Sequence, residues 1–317
     1  MSKIFFEEME LPKPDIQLDI RGEFHTEKIG KMFNALKAVF KDNKYDAAVV
    51  FGDVNSTLAG GIASTKNHCK LIHIEAGLRS HDRRMPEEIN RAVVDHLSDL
   101  LFTTEKAANE NLTKEGVDSK KIELVGNLMI ESLEIFKDKI NNSTIVKELN
   151  LVPKSYAVVT IHRQENIDDP TNLKKILMLL NEINKEALVV FPLHPGTKKN
   201  IHQFGFKDLL RGLQIIEPLG YFEFMKLVSE SLGVITDSGG IQDETSHLGI
   251  PCCTLRDNTE RPVTLGLGSN KLFPIDTADA KEMKNHLRRS DFRSRHIPLW
   301  DNKVSERIFK VLRDCLN

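Results

Sequence analysis

Acidic side chains follow two predicted strands of this sequence at the point where each strand ends. Asp53 comes just after the apolar run 46–51, and Glu75 ends the run 71–75. Glu87 follows a short distance later. Because ligands of open parallel sheets bind beyond the carboxyl ends of the strands, these three carboxylates are candidates for acid and base chemistry.

A simpler structural interpretation exists for each of these residues. Asp53 or Ser56 could cap the helix predicted after the first strand. The charged stretch 79–91 could be a solvated loop in which Glu87 and Arg91, four residues apart, form a pair. Its four arginines could hold the loop and neutralise the carboxylates, but the sequence does not assign Arg79, Arg83, Arg84 and Arg91 individually.

A histidine ends the first predicted strand of the second half of the chain, in the stretch VVTIHRQEN. His162 could transfer a proton or contact a phosphate, or it could be a structural residue at the strand end. His194 is a similar and weaker candidate.

The stretch VITDSGGIQDE has the pattern of a phosphate-binding turn. Ser238, Gly239 and Gly240 follow a strand and precede a helix, so backbone N–H groups are available to an anion. Glu244 is placed to reach a ribose hydroxyl pair, and Arg261 to reach a diphosphate. Tight turns use the same residue types as Ser238, Gly239 and Gly240. The interpretation as a phosphate-binding turn therefore depends on the turn, Glu244 and Arg261 occurring together in one chain.

Composition excludes several classes of protein. The 317 residues suggest about two domains, and the net charge of −2 gives no basic field for nucleic acid or an anionic membrane. No apolar run approaches membrane-spanning length. The four cysteines lack metal-type spacing, and Cys252 and Cys253 are expected to be buried thiols of a cytoplasmic protein. No cofactor or metal is expected, because the histidines are scattered.

Apolar runs alternate with helical patterns along the chain, which predicts an α/β fold with parallel sheets and helices on both faces. A helix is predicted over 26–42. Nine strands are predicted, at 46–51, 71–75, 100–103, 122–125, 156–161, 187–192, 213–216, 232–236 and 252–255. The polar segment 139–155 predicts a boundary between domains 1–145 and 146–299. The last helix, within 300–317, is expected to pack back on the first domain.

Taken together, these stretches resemble the non-hydrolysing UDP-N-acetylglucosamine 2-epimerase family over nearly the whole chain. The segments that carry the resemblance are GDVNSTLAG, HIEAGLRS, MPEEINR, HRQEN, TDSGGIQDE and RDNTERP. The resemblance implies two Rossmann-like domains in the glycosyltransferase-B arrangement, with the site in the cleft between them. It also implies interconversion of UDP-GlcNAc and UDP-ManNAc by elimination and re-addition of UDP, and a homodimer.

The family's site residues carry over to matching positions of this sequence. The resemblance implies that Asp53, Glu75, Glu87 and His162 are catalytic. It implies that the 238–240 turn binds the diphosphate. The remaining nucleotide contacts that it implies are Phe224 beside the uracil, Glu244 on the ribose, and Arg261.

The sequence departs from the family in two places. The family opens with a strand and a turn of the form G-T-R-P-E-x-x-K, and Met1 aligns with an internal position, which predicts an N-terminally truncated relative. If the protein lacks that unit, weak activity and poor solubility are expected, because apolar surface would stay uncovered. Leu219 also stands where relatives often carry glutamine.

Other functions remain open at this stage. The substrate could be another UDP-2-acetamido sugar, such as a diacetamido uronic acid, or the chain could be a hydrolysing relative that releases ManNAc. It could also be an inactive UDP-binding remnant. A glycosyltransferase is a weaker possibility, because it would not need Asp53, Glu75 and Glu87 together.

Overall fold

The computed structural model describes residues 6, 8–22, 24–294 and 296–316. Contacts among the residues divide the chain into two compact units. The first unit contains Lys13–Glu131 and the segment from Pro298 onward, and the second contains Ser132–Ile297 and the segment up to Pro12.

The predicted boundary between residues 145 and 146 lies later in the chain than this division. Ile140, Ile145 and Val146 are buried in the core of the second unit together with Tyr156 and Val158. The polar segment around them therefore packs as part of that unit, and the domain limits 1–145 and 146–299 remain a prediction.

The first unit is built on a parallel sheet of four strands in the order β1-β2-β3-β4. Its strands are β1 (Ala47–Phe51), β2 (Lys70–Ala76), β3 (Leu100–Thr103) and β4 (Ile122–Leu124). Its helices are α1 (His25–Asp42), α2 (Asn55–Lys66), α3 (Pro86–Leu97) and α4 (Lys106–Lys114). Helix α5 (Leu128–Ile135) crosses from the first unit into the second.

The second unit is built on a parallel sheet of six strands in the order β10-β9-β8-β5-β6-β7. Its strands are β5 (Tyr156–Thr160), β6 (Leu188–Pro192), β7 (Gln214–Ile216), β8 (Gly233–Thr236), β9 (Cys252–Thr254) and β10 (Asn270–Leu272). Its helices are α6 (Lys137–Asn141), α7 (Ile145–Glu148), α8 (Gln164–Ile167), α9 (Pro170–Asn184), α10 (Pro195–Gln203), α11 (Tyr221–Ser229), α12 (Gly239–Leu248), α13 (Pro262–Gly266) and α14 (Ala280–Leu287).

Both faces of the second sheet are buried, which explains why its strands are continuous apolar runs. Val159 and Ile235 pack into one apolar cluster, whereas their neighbours Val158 and Val234 pack into another. Successive side chains of a strand point to opposite faces, so the two clusters lie on opposite sides of the sheet. Cys252 and Cys253 are buried free thiols, as predicted, and burial raises the pKa of Cys252 to about 11.

The last helix, α15 (Val304–Leu316), packs on the first sheet. Val304 and Ile308 share an apolar cluster with Ile74 and Phe102. The buried Trp300 donates from its indole Nε1 to the carbonyl oxygen of Thr104 at 3.0 Å. The C-terminal segment therefore covers one face of the first unit's sheet.

The α/β fold with two Rossmann-like parallel sheets is the fold that the sequence predicts. All nine predicted strands and the predicted helix over 26–42 are present. Strand β10 was not predicted. Its three residues, Asn270–Leu272, are mostly polar and show no apolar alternation, so only its pairing with β9 makes it a strand.

Candidate functional site

Glu75 lies at an irregular position of β2 that directs its side chain. The pairing of β2 with β3 shifts register between Ile74 and Ala76, so Glu75 is the extra residue of a bulge. Its φ of 70° lies in the left-handed region, which costs a non-glycine residue energy and clusters at functional sites. A bulge re-aims a side chain and is common next to active sites, so this geometry supports a functional carboxylate.

Gly52 places the neighbouring turn against Glu75. Its backbone N–H donates to the carbonyl oxygen of Ile74 at 3.0 Å, and its φ is +61°. A Cβ added at Gly52 would lie 3.3 Å from Oε2 of Glu75. The ends of β1 and β2 therefore meet closely only because residue 52 is glycine.

Asp53 is held by α3 and does not cap the helix that follows it. The N-cap residue of α2 is Val54, and no side chain among the described residues caps that helix. Instead, Nη2 of Arg91 donates to Oδ2 of Asp53. The side-chain amide of Asn90 donates to the backbone carbonyl oxygen of Asp53 at 2.8 Å. The capping alternative for Asp53 is therefore wrong.

Arg91 pairs with Glu88, not with Glu87. Its Nη1 donates to Oε2 of Glu88 at 2.8 Å, and Glu88 also accepts from the backbone N–H groups of Ser80 and His81. Burial alone would raise the pKa of Glu88, but these hydrogen bonds and the Arg91 charge hold the pKa below its usual value. Glu88 is thus a structural residue.

Glu87 differs from its neighbour because it is left available for chemistry. It lies in the first turn of α3, is partly exposed, and forms no hydrogen bond or ion pair with the described residues. A carboxylate in the first turn is favoured by the helix dipole. The predicted pairing of Glu87 with Arg91 is wrong, because the buried Glu88 lies on the face of α3 that Arg91 also occupies.

A buried network of charged and polar side chains contacts the ends of β1 and β2. Nε2 of His73 contacts the carbonyl oxygen of Gly52 at 2.8 Å, and Nδ1 contacts Asp95 at 2.7 Å. Asp95 also pairs with Arg79, which forms a two-bond pair with Glu115. Burial would raise the pKa of Asp95, but His73 and Arg79 hold it below its usual value.

Asp237 organises the loop of the second unit that contains His162. This fully buried carboxylate accepts from the backbone N–H groups of His162 and Arg163 and from the side-chain amide of Asn166. Nδ1 of His162 lies 3.3 Å from Oδ1 of Asp237, and the His162 side chain is 46% exposed. The ring is therefore oriented by Asp237 while its surface remains open.

The predicted phosphate-binding turn lies at the N-terminus of α12. Ser238 is the N-cap residue, with no capping bond from its side chain to the described residues, and Gly239 begins the helix. A Cβ added at Gly239 would collide with the carboxylate of Glu260. Gly240 follows as the second residue of the helix. The first N–H groups of the helix are thus available to an anion, as at other anion-binding helix termini.

Arg261 is buried beside this turn and steadies it. Its Nε donates to the carbonyl oxygen of Gly239 at 3.0 Å and lies 3.1 Å from Oδ2 of Asp243. Glu244, on the same helix as Asp243, accepts a hydrogen bond from the hydroxyl of Tyr221 at 2.9 Å. These contacts fix the group at the start of α12.

Two other candidate residues of the second unit, Phe224 and His194, make packing or capping contacts. Phe224 is on α11 and packs, half-buried, against the apolar cluster that also contains Leu219. His194 caps α10, because its Nδ1 accepts from the backbone N–H of Gly196 at 3.2 Å. Burial, followed by the proximity of His162, lowers the pKa of His194. These contacts favour the structural interpretation for His194.

Sequence reasoning did not assign five residues that support the site. Arg91, His73, Asp95, Asp237 and Tyr221 all act through contacts with residues at least 21 positions away. The one available signal was the position of Asp237, which directly follows a predicted strand and directly precedes Ser238.

Among the described residues, no group of three or more His, Cys, Asp or Glu side chains is arranged to hold a metal ion. In the same part of the chain, no helix combines the length and apolar composition needed to cross a bilayer.

The sequence was compared with known families. The model of the family described as UDP-N-acetylglucosamine 2-epimerase matches residues 1–313. The chain belongs to the UDP-N-acetylglucosamine 2-epimerase family. That match spans both units, so both sheets and their strand-end loops are part of the family's sequence pattern.

Individual family members are similar over most of their length. The UDP-N-acetylglucosamine 2-epimerase of Methanococcus maripaludis is 41% identical over 314 residues, which are 96% of this chain and 84% of the relative. The UDP-2,3-diacetamido-2,3-dideoxy-D-glucuronate 2-epimerase of Pseudomonas aeruginosa is 43% identical over 275 residues, 86% of this chain and 76% of the relative.

A solved structure of the epimerase family is similar as well. The crystal structure of Methanocaldococcus jannaschii UDP-GlcNAc 2-epimerase in complex with UDP-GlcNAc and UDP has a TM-score of 0.91 and 38% identity. The match covers 99% of this chain and 88% of that chain.

Proposed function

We propose that this protein is an isomerase that interconverts the C2 epimers of a UDP-linked 2-acetamido sugar, with UDP-GlcNAc and UDP-ManNAc as the first candidate pair. Support comes from membership in the epimerase family and from the M. jannaschii structure with UDP-GlcNAc bound. Each unit contributes one set of side chains, and the two sets suit the two ends of such a molecule.

The chemistry requires elimination because the C2 proton of the sugar is not acidic. In the proposed reaction a base removes the C2 proton while the C1–O bond breaks, which releases UDP and leaves a 2-acetamidoglucal. UDP then adds back to C1, and an acid delivers a proton to the opposite face of C2. Acid and base groups at the sugar and donors at the leaving diphosphate are both required.

The nucleotide end is assigned to the second unit. The N–H groups at residues 238–240 and the Arg261 side chain suit a diphosphate leaving group, and His162 suits its phosphate side. Glu244 suits the ribose and Phe224 the uracil. Asp237 and Asp243 hold His162 and Arg261 in place.

The sugar end is assigned to Asp53, Glu75 and Glu87 in the first unit. The observation that carries this assignment is the bulge of β2, which holds Glu75 in a left-handed conformation against the Gly52 turn. Such a conformation is costly for a non-glycine residue and is often kept at functional sites. A glycosyltransferase would not require this set of carboxylates either.

A second substrate is supported by a specific observation. The P. aeruginosa relative, 43% identical, is an epimerase of UDP-2,3-diacetamido-2,3-dideoxy-D-glucuronate. That sugar differs from GlcNAc at C3 and C6, and the reaction at C2 is unchanged. The same carboxylates therefore serve both substrates, and the assay must include both.

The reaction can be followed by NMR in deuterated water with each UDP-sugar in turn. The proposed reaction incorporates deuterium at C2 and forms the C2 epimer with UDP still attached at C1. Free ManNAc would instead indicate hydrolysis. No exchange with either substrate would contradict the proposed function.

Glu75→Gln tests the carboxylate assignment. Because Gln cannot act as acid or base, kcat is expected to fall by about 100-fold or more while UDP affinity is kept. Glu110→Gln, which changes an exposed carboxylate on α4 of the same unit, is the control and should leave kcat unchanged. Equal turnover in wild type and Glu75→Gln would remove Glu75 from the mechanism.

We also propose that the protein is a cytoplasmic homodimer. Buried reduced cysteines suit a reducing compartment, and the resemblance to the family supports a dimer. Sedimentation equilibrium of the purified protein checks the dimer, and a monomer at micromolar concentration would contradict it.

A further inference from the structure

Tyr221 and Glu244 form a hydrogen-bonded pair between two neighbouring helices of the second unit. Tyr221 is the first residue of α11, and its hydroxyl lies 2.9 Å from Oε1 of Glu244 on α12. Glu244 is 3% exposed. Burial, followed by the charge of Glu244, raises the pKa of Tyr221 well above its usual value, so the phenol keeps its proton and is the donor.

A ribose diol makes a particular demand on a carboxylate. Both hydroxyls of the diol donate, so the carboxyl group must be ionised and its oxygens must be oriented toward the sugar. A protonated carboxylic acid would lose acceptor capacity and place a donor against donors. The donor that faces Glu244 from α11 therefore affects both the charge and the orientation of the group.

We propose that Tyr221 is a positioning residue for nucleotide binding, whose hydroxyl holds Glu244 as the oriented carboxylate that accepts hydrogen bonds from the ribose of UDP. This proposal rests on the proposed function, in which Glu244 binds the ribose. It assigns to Tyr221 a role in binding without contact between its hydroxyl and the nucleotide.

The electrostatic surroundings give the pair a measurable signature. Burial is the largest influence on Glu244 and raises its pKa to about 7. The Tyr221 hydrogen bond lowers the pKa, Asp243 raises it, and Arg261 lowers it. Glu8 also approaches α11, but it accepts from the backbone N–H of Tyr221 at 3.0 Å and not from the phenol. Nucleotide affinity is thus expected to fall as pH drops below about 7.

Removal of the Tyr221 hydroxyl is expected to raise the pKa of Glu244. The carboxylate of Glu244 would lose a donor, so its pKa would rise and the weak-binding protonated form would persist to higher pH. If the pKa rises by about one unit, UDP affinity falls about eightfold at pH 6.5 and changes less than about twofold at pH 8.5.

The experiment compares wild type with Tyr221→Phe across pH 6–8.5. Calorimetry measures the affinity for UDP and for 2′,3′-dideoxy-UDP, which lacks the ribose hydroxyl pair. Tyr156→Phe is the matched control, because the Tyr156 hydroxyl is also buried in this unit but donates to the carbonyl oxygen of Leu227. That variant should lose thermal stability without a change in the pH midpoint of UDP binding.

The expected result is an upward shift of the pH midpoint in Tyr221→Phe for UDP, with no defect for the dideoxy nucleotide. An unchanged pH profile of UDP binding would overturn the proposal. A loss of affinity that is equal at every pH, or equal for both nucleotides, would overturn it as well. If wild type binds UDP at no pH, the proposed function fails as well, whereas binding with an unshifted midpoint overturns the role of Tyr221 alone.

Discussion

Arg91 donates hydrogen bonds to two carboxylates that have different roles. One arm of its guanidinium contacts the candidate catalytic Asp53, and the other contacts Glu88, which holds the backbone at residues 80–81. The arginine is 3% exposed. A planar group with several fixed donors can bridge two carboxylates in this way, whereas an ammonium group is a single point of charge.

Arg91→Lys is therefore expected to lower kcat about 100-fold, because a displacement of Asp53 by about 1 Å is enough for such a loss. UDP affinity should stay within about twofold, since the nucleotide contacts are assigned to other residues. Steady-state kinetics and calorimetry measure the two effects separately.

Arg84→Lys is the control for this change. Arg84 is exposed and pairs with Asp82 two residues away, so its replacement should leave kcat as in wild type. Equal kcat values for wild type and Arg91→Lys would show that Asp53 does not depend on Arg91.

At the scale of elements, the first sheet presents Glu75 through a bulge that a regular ladder would not contain. The extra residue in β2 and the left-handed turn at Gly52 occur side by side. The buried His73 ties the two together through the carbonyl oxygen of Gly52. The strand ends thus form one small unit of backbone whose conformation sets the direction of the carboxylate.

Gly52→Ala is expected to impair both stability and turnover. A left-handed backbone costs an alanine about 1–2 kcal/mol, and the added Cβ also presses on Oε2 of Glu75. Denaturant unfolding should therefore show a loss of about that size, and kcat should fall about tenfold or more because Glu75 moves.

Gly116→Ala separates these two effects. Gly116 has φ +85°, but a Cβ there meets nothing within 4 Å among the described residues. It should show a similar loss of stability with turnover unchanged. If both variants lost turnover equally, the contact between residue 52 and Glu75 would have no role.

At the scale of the whole molecule, the first unit exposes apolar side chains along one edge of its sheet. Among the described residues, β1 forms the edge of that sheet and pairs only with β2. Val49 and Phe51 of this strand are 41% and 57% exposed. Edge strands with exposed apolar residues pair with other chains unless charge or cover prevents it.

The protein is expected to self-associate through this edge at high concentration. Val49→Lys should lower light scattering at about 100 µM without loss of the UDP-sugar reaction, since charge blocks edge pairing. Phe309→Lys is the control, because Phe309 is 69% exposed but lies on helix α15.

A drop in scattering with Phe309→Lys but not with Val49→Lys would contradict the assignment to β1. The same experiment tests whether the exposed apolar side chains of β1 limit the solubility of the protein.

The fold was largely predictable because its determinants are local. Apolar runs separated by helical patterns specify parallel strands covered on both faces, and all nine predicted strands are present. The short polar β10 was missed because its strand conformation comes from pairing with β9. Candidate positions such as Glu75 and Ser238 were found because strand ends are where such folds bind ligands.

The sequence by itself determined the α/β architecture, the strand-end positions of the candidate carboxylates, and the glycine turn at residues 238–240. Tertiary structure alone decided which charged groups meet. Arg91 reaches Asp53 across 38 positions and leaves Glu87 available, and Tyr221 reaches Glu244 across 23. Such contacts depend on how helices pack against a sheet. The periodicity of apolar residues in the sequence indicates which face of a helix or strand is buried, but not which side chain lies opposite it.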